Sequence, residues 1–294
     1  MWTTEHWVDY ELLDASDGER LERWGRYILI RPDPQVIWHG VARHPAWKRA
    51  DAIYRRSSTG GGSWVKNHLP KEWNIRYGEL GFVLRPMGFK HTGLFPEQAA
   101  NWDWFAEKIR SAGRPVRVLN LFAYTGGATV AAAKAGASVV HVDAAKGMVA
   151  QAKENAALSG LSDAPIRYIV DDCKKFVERE LRRGNHYEGI IMDPPSYGRG
   201  PGGEVWKLED CVDELIDLTA GLLSDKPLFF LINSYTTGLS PMTMHYILDL
   251  KVRSRFGGTI EAGELGLKVT QTGGYLPCGA STRWMADDVT QKKR

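Results

Sequence analysis

Val118-Leu-Asn-Leu-Phe-Ala-Tyr-Thr-Gly-Gly127 changes character half-way along its length. With Val116 it begins as an apolar run over residues 116–122, too short for a helix and apolar on both faces, which is the pattern of a strand buried on two sides. Gly126 and Gly127 stop the run and open a helix predicted over 125–135. A glycine pair here lets backbone approach a ligand while the first helical N–H groups point at it, or it simply makes a turn. Strand, tight turn and helix make half of a βαβ unit, and the fold depends on whether the unit repeats.

It does repeat. Strands are predicted over 138–143, 166–170, 189–193 and 228–233, and helices over 146–159, 173–183, 207–223 and 241–256, with closing strands over 259–267 and 282–285. Upstream, residues 98–111 place Trp102, Phe105 and Ile109 at helical spacing before Gly113 and Pro115 break the helix. Short apolar strands joined by crossover helices give an α/β protein with a mostly parallel, Rossmann-like sheet covered on both faces. Right-handed crossovers put its ligand beyond the carboxyl ends of the strands. This domain is expected to span residues 91–294.

Residues 1–90 read differently, as a small β-rich accessory domain. Strands over 10–14 and 26–31 are joined by a polar stretch, 15–25, with Asp17-Gly18 as turn chemistry. A further short strand is expected over 36–39 and another over 77–85. Residues 55–63 form a glycine-rich loop that lacks the Gly-Lys-Ser/Thr ending of a phosphate loop.

Composition narrows the class. Hydrophobic residues are 43% and charged residues 25% of 294, as in ordinary globular chains, and the net charge is only +3. That charge permits a nucleic-acid partner without demanding one. Cys173, Cys211 and Cys278 are too few and too scattered for a disulfide framework or a metal-ligand cluster, so no metal is expected. Residues 1–10 hold Glu5, His6 and Asp9 and no apolar core, and no run approaches the roughly 20 apolar residues of a membrane span. A cytoplasmic location and no membrane partner are expected. Arg55, Arg56, Lys66, Lys71 and Arg76, interleaved with Trp64, Trp73 and Tyr77, make either a basic stacking face or a solvated loop surface.

The strand ends carry the chemistry. Asp143 follows the second strand of the repeat, seventeen residues after Gly126, where a carboxylate can accept from two ribose hydroxyls. Asp171 and Asp172 follow the third. Either can accept from an adenine amino group or cap the next helix, and Asp172 is favoured for the adenine. After the fourth comes Asp193-Pro194-Pro195-Ser196-Tyr197, a rigid turn whose prolines have no N–H. Such a turn presents the Asp193 carboxylate and backbone carbonyls to a planar amine, with an aromatic ring beside it. The fifth strand ends in Asn233-Ser234-Tyr235, and Asn233 and Tyr235 are expected to face the same pocket. Residues 199–203 read as a mobile lid or as an ordinary exposed loop.

Taken together, Val118–Gly127, Val142-Asp143 and Asp193-Pro-Pro-Ser-Tyr197 resemble the S-adenosylmethionine (SAM)-dependent methyltransferases related to the large-subunit ribosomal RNA methyltransferases. Lys90-His-Thr-Gly-Leu-Phe-Pro-Glu-Gln98 resembles that family's upstream motif, and the resemblance covers about residues 75–290. It implies a Rossmann-like sheet with a reversed last strand. It implies a cofactor site in which Asn120, Phe122, Ala123, Tyr124, Thr125, Gly126 and Gly127 border the methionine end of SAM. Asp143 and Ala144 would lie at the ribose, Asp172 and Cys173 at the adenine, and Thr92, Phe95 and Gln98 would help close the site. Asp193, Pro194, Pro195 and Tyr197 become the catalytic set. The upstream motif's His91 reads as structural.

Two departures bear on the substrate. The RNA enzymes of this family carry an N-terminal module of the PUA type, which the segment before residue 75 does not show. Members that methylate cytosine at C5 use a cysteine after the fourth or fifth strand, where this chain has Ser196 and Asn233-Ser234-Tyr235. The resemblance implies RNA as the carrier of the acceptor and the Asp193–Tyr197 turn suits a nitrogen, so methylation of a nitrogen in an RNA base is expected, the alternative being a small molecule or a protein. A dehydrogenase is disfavoured because the first turn lacks Gly-x-Gly-x-x-Gly.

Overall fold

The computed structural model of the chain describes residues 1–57, 61–88, 90–199 and 205–287. Its residues group into two compact units. Unit 1 holds Met1–Ala100, Glu154–Gly160 and Leu265–Cys278, and unit 2 holds Asn101–Lys153, Leu161–Glu264 and Gly279–Arg294.

Unit 1 is built on a five-stranded sheet in the order β1 (Tyr10–Ser16), β2 (Glu19–Trp24), β3 (Tyr27–Pro32), β4 (Ala52–Arg56), β5 (Gly62–Asn67). A separate hairpin pairs β6 (Trp73–Tyr77) with β7 (Leu80–Leu84). Here the structure departs from the sequence expectation four times, first in that the strand expected over 77–85 is β7 alone, Tyr77 ending the unexpected β6. The supposed polar connection 15–25 contains β2, because Arg20 and Glu22 are drawn inward by ion pairs and so disguise a strand. Residues 36–39 form no strand; they are held against the β1–β2 turn by Asp17 N–H to Trp38 O and Gly18 N–H to Val36 O, each 3.0 Å. The glycine-rich loop is shorter than expected, since Arg55 and Arg56 complete β4 and Gly62 begins β5.

Glu22 is the charged centre of unit 1. It is wholly buried, and its oxygens accept from Arg31 Nε at 2.6 Å and Nη2 at 2.8 Å and from the Tyr10 hydroxyl at 3.0 Å. Burial pushes its carboxyl up, but Arg31 and Arg20 outweigh burial and hold it at about 2.

Unit 2 carries the repeat. In chain order the strands and helices of the repeat are α1 (Ala99–Ser111), β8 (Arg117–Leu121), α2 (Gly127–Lys134), β9 (Ser138–Asp143), α3 (Lys146–Leu158), β10 (Ile166–Val170), α4 (Cys173–Arg183), β11 (Gly189–Met192), β12 (Tyr197–Arg199), β13 (Val205–Lys207), α5 (Leu208–Ala220), β14 (Phe229–Ser234), α6 (Pro241–Leu248), β15 (Thr259–Lys268) and β16 (Tyr275–Met285), of which residues 99–100, 154–158, 265–268 and 275–278 fall in unit 1. The seven-stranded order is β10-β9-β8-β11-β14-β16-β15. Strands β10, β9, β8, β11 and β14 pair parallel, and β16 reverses against β14 with Ile232 opposite Thr282. Leu119, Leu121, Ile190, Met192, Phe230 and Ile232 form one core with Phe176 and Val177 of α4 and Leu215 and Ile216 of α5. That packing is why these strands read as continuous apolar runs.

Two C-terminal elements also depart from expectation. The helix over 241–256 is not uniform: α6 passes through a π-helical turn, Asp249–Arg253, before its last turn, Ser254–Phe256. The last strand begins at Tyr275, so Cys278 lies inside β16 and not in a preceding turn. Among the described residues no helix is long and apolar enough to cross a membrane, and no group of three His, Cys, Asp or Glu could hold a metal ion.

Candidate active site

The sheet order reverses between β8 and β11: the chain runs outward from β8 through β9 to β10, then returns to place β11 on the other side. Loops leaving the carboxyl ends of the two middle strands therefore diverge and open a crevice. Register lines up its floor. Leu121 pairs with Val142 on one side and Met192 on the other, and Met192 pairs with Ile232. Asp143, Phe122, Asp193 and Asn233 thus follow one another along the edge.

The loop after β8 is strained and tightly held. Phe122 and Tyr124 have φ of 55° and 49°, left-handed values that cost a non-glycine residue roughly 1–2 kcal/mol each. Three hydrogen bonds oppose that cost. Phe122 N–H donates to Cys173 Sγ at 3.2 Å, Ala123 N–H to Val142 O at 3.0 Å, and Tyr124 N–H to Asp143 Oδ2 at 2.8 Å. The Asp143 Oδ1 accepts from Ala145 N–H at 2.8 Å, so backbone donors fix both carboxylate oxygens while each keeps a further lone-pair site. Ala144 is exposed beside it.

The glycine pair has packing reasons of its own. Gly126, at φ 82°, caps α2, and a Cβ there would lie 2.8 Å from the Cβ of Ala152. A Cβ on Gly127 would lie 2.7 Å from the Trp102 ring. Close approach of protein to protein thus demands both glycines, and the α2 N-terminus, with its unpaired N–H groups, opens at the crevice. Thr125 is buried in the same turn. Asn120 points away from the edge: it is buried and its Nδ2 donates to Thr129 Oγ1 at 2.9 Å. Thr129 in turn meets His141 Nδ1 at 2.8 Å, and burial pushes that imidazole down to about 4, so it is neutral.

At the next strand end Asp172 caps α4, accepting from Lys175 N–H at 2.9 Å, and remains exposed. Asp171 instead ion-pairs with Arg179. The Cys173 thiol is buried under the loop, and burial raises it far above the usual thiol range.

On the other side of the crevice, Asp193 N–H donates to Leu121 O at 3.4 Å. Pro194 is buried and Pro195 exposed. The Pro195 carbonyl accepts the Trp206 indole N–H at 2.6 Å and the Ser196 carbonyl accepts Leu208 N–H at 3.1 Å. Among the described residues the Pro194 carbonyl accepts no hydrogen bond. Tyr197 begins the β12–β13 hairpin and is 52% exposed. Trp206, on the opposite strand, lies 5.8 Å from the Phe122 ring, linking the two lips of the crevice. Sequence reasoning missed Trp206. An isolated tryptophan in a polar stretch has no periodicity, and only its indole bond to the Pro-Pro turn reveals its place.

Asn233 does not face the crevice as expected. It is buried, and its Oδ1 accepts from Asn101 Nδ2 at 3.0 Å and Ser281 Oγ at 2.9 Å. Tyr235 is half-buried over Gly279, where a Cβ would lie 2.7 Å from its ring. Of residues 199–203, the stretch from 200 lies outside the described residues. Thr92, Phe95 and Gln98 belong to unit 1. Thr92 is fully buried, its Oγ1 has no partner among the described residues, and its carbonyl accepts Arg85 N–H. Phe95 packs 5.2 Å from His91, which burial beside Arg31 and Lys90 pushes down to about 3, so His91 is a neutral packing residue. Gln98 N–H donates to Phe95 O at 3.1 Å.

Comparison with known proteins places this arrangement. Residues 40–224 match a sequence family described as S-adenosylmethionine-dependent methyltransferase. A crystal structure of the SAM-dependent methyltransferase from Agrobacterium tumefaciens is 37% identical, covers 97% of this chain with 93% of its own, and superposes with a TM-score of 0.90. A putative SAM-dependent methyltransferase from Streptococcus mutans is 18% identical with a TM-score of 0.74 and shares the fold. Ribosomal RNA large subunit methyltransferase K/L of Shewanella sp. (strain MR-4) is 37% identical over 134 residues. Those residues are 45% of this chain and only 18% of that protein, so the chain spans less than a fifth of the curated relative. With the family match covering most of its length, the chain belongs to the S-adenosylmethionine-dependent methyltransferases.

Proposed function

We propose that the chain transfers the methyl group of SAM to a nitrogen of an RNA base, in the cytoplasm. The observation that carries the reading is the Asp193–Tyr197 turn. Its Pro195 and Ser196 carbonyls are engaged by Trp206 and Leu208. The Pro194 carbonyl and the Asp193 carboxylate, on the lip of the crevice, suit a planar N–H donor between them, with Tyr197 and Trp206 offering ring faces.

The residues present fit the cofactor. Asp143, with both oxygens aimed by backbone donors, suits the two ribose hydroxyls. Asp172 keeps an exposed carboxylate for the adenine amino group, with Cys173 beneath it as packing. Residues 122–127 and the N-terminus of α2 suit the methionine end. SAM supplies, when bound, a methyl group already activated on a sulfonium. The protein's task is then alignment and exclusion of water, and positioning alone can contribute about 7–11 kcal/mol. The Pro194 carbonyl orients the acceptor nitrogen. Asp193 accepts its N–H and takes up the proton released as the new N–CH₃ bond forms. RNA as the carrier is supported by the names of the curated relatives; a protein or small molecule is the alternative.

The test is transfer of labelled methyl from SAM to total RNA, to a protein extract and to a metabolite extract in parallel. Label in RNA supports the reading. Label confined to either other fraction overturns it.

A further inference from the structure

Charge is unevenly spread along the chain. Residues 36–71 hold seven Lys or Arg and a single acid, Asp51, so this stretch carries +6 where the whole chain carries +3. The Asp51 carboxylate, already counted in that total, accepts Ile28 N–H at 2.8 Å.

The fold turns these cations outward. Between β3 and β4 a 3-10 turn, Pro45–Arg49, seats Ala46 and Trp47 on Leu13, Leu21, Ile30 and Ile53. Arg43, Lys48 and Arg49 are left exposed, and none of their side chains makes an ion pair among the described residues. Arg55 shares the face, two residues beyond Ile53 on β4, and is paired with Glu19.

Glu19 pairs with Arg55 and Asp17 Oδ1 lies 3.3 Å from His39 Nδ1, but Asp14 and Asp17 also bind the backbone of this segment. Asp14 is fully buried, and its Oδ2 accepts Arg43 N–H at 2.9 Å, His44 N–H at 3.1 Å and the Trp47 indole at 2.8 Å. Burial opposes ionisation of Asp14, yet these bonds hold it below the usual carboxylate range. Asp17 accepts Gly40 N–H at 3.3 Å in the same way. The backbone is thus fixed from beneath. Earlier in the same segment Trp38 is 37% exposed, its indole N–H donating to Ala15 O at 2.7 Å, next to the Asp14 that holds the Arg43 backbone. The His39 side chain is 80% exposed.

We propose that this face, formed by Arg43, Lys48 and Arg49 with Trp38 and His39, is a binding surface for single-stranded RNA. Cations on a fixed backbone match a phosphate chain, and exposed rings beside them match unpaired bases, whose stacking tolerates any sequence. The proposal rests on the RNA reading of the active site and gives it a means of holding its substrate.

The probe is a labelled single-stranded RNA of about 16 nucleotides, titrated by fluorescence anisotropy between about 50 and 200 mM salt. The full chain is compared with Arg43→Ala/Lys48→Ala/Arg49→Ala and with a control, Arg110→Ala/Arg182→Ala/Lys226→Ala, of exposed cations in unit 2. The first triple should bind at least tenfold more weakly, with a salt slope shallower by about 2 and SAM affinity unchanged. The control should change less than twofold. Equal binding by wild type and the first triple, equal loss in both triples, or tighter binding to vesicles of anionic phospholipid than to RNA would overturn the surface. Methyl transfer separates the two claims. RNA methylated with an unchanged KM by the first triple sinks the surface alone. RNA bound through these residues but never methylated sinks the active-site reading alone.

Discussion

The Tyr124 N–H donates to Asp143 Oδ2 across 2.8 Å, tying the strained loop after β8 to the carboxylate that ends β9. One residue therefore both shapes the loop and presents acceptors at the crevice. Asp143→Ala removes charge-assisted bonds worth about 1.5–3 kcal/mol, so SAM affinity should fall about 10- to 150-fold in calorimetric titration. Asp143→Asn, which keeps one acceptor oxygen, should lose less. An unchanged dissociation constant in a folded Asp143→Ala protein would remove the ribose assignment.

Asp193→Ala should spare SAM binding and depress turnover, because Asp193 follows β11, on the other side of the crevice from the loop tied to Asp143. Single-turnover rates and SAM titration, measured on the same preparation, separate the effects. Wild-type turnover would refute the catalytic role.

Gly126→Ala should destabilise unit 2 by about 2–4 kcal/mol, combining a left-handed backbone with a new contact 2.8 Å from the Ala152 Cβ. Ala152→Gly in the same chain should restore the packing part and leave the backbone part. Urea midpoints of the single and double variants measure this, and equal stability of Gly126→Ala and wild type would contradict it.

Acid should weaken unit 1 through Glu22. Its carboxyl lies at about 2 when folded, against 4.5 as an ordinary glutamate. A depressed folded value contributes stability above 4.5, and that contribution, up to about 3 kcal/mol, is lost as pH falls from 4.5 toward 2. Thermal melts should fall steeply over that window in wild type and more gently in Glu22→Gln, which should also be less stable at neutral pH. Parallel pH profiles would disprove the assignment.

No cysteine should act as a nucleophile. Cys173 and Cys278 are buried thiols that burial holds protonated, and Cys211 lies within α5. Replacing all three by serine should preserve methyl transfer once folding and SAM affinity are matched. A trapped covalent adduct with substrate would reverse this conclusion.

The parallel sheet was legible because its central strands, β8, β11 and β14, are buried on both faces; β9, β10 and α4 begin and end where periodicity placed them. Polar disguise hid β2, since alternating Arg20, Glu22 and Arg23 look solvent-facing until Arg31 and Asp33 pair with the inward ones. At the crevice, Asp143, Asp193 and the glycine pair were readable from residue type and strand-end position. The inward turn of Asn120 and Asn233 was not, because each depends on a partner distant in sequence or hidden beneath a helix, as do the roles of Thr129, Asn101 and Ser281. Spacing cannot report which way an amide at a strand end rotates.

If the Asp193–Tyr197 turn presents a nitrogen of an RNA base to the methyl donor, the new methyl group must be found on that nitrogen. Nucleoside mass spectrometry of RNA methylated by the purified chain tests it most directly. The expected product is a base carrying the new methyl on a ring or amino nitrogen, absent with Asp193→Ala. A methyl group found on C5 of cytosine or on a ribose 2′-oxygen would contradict it.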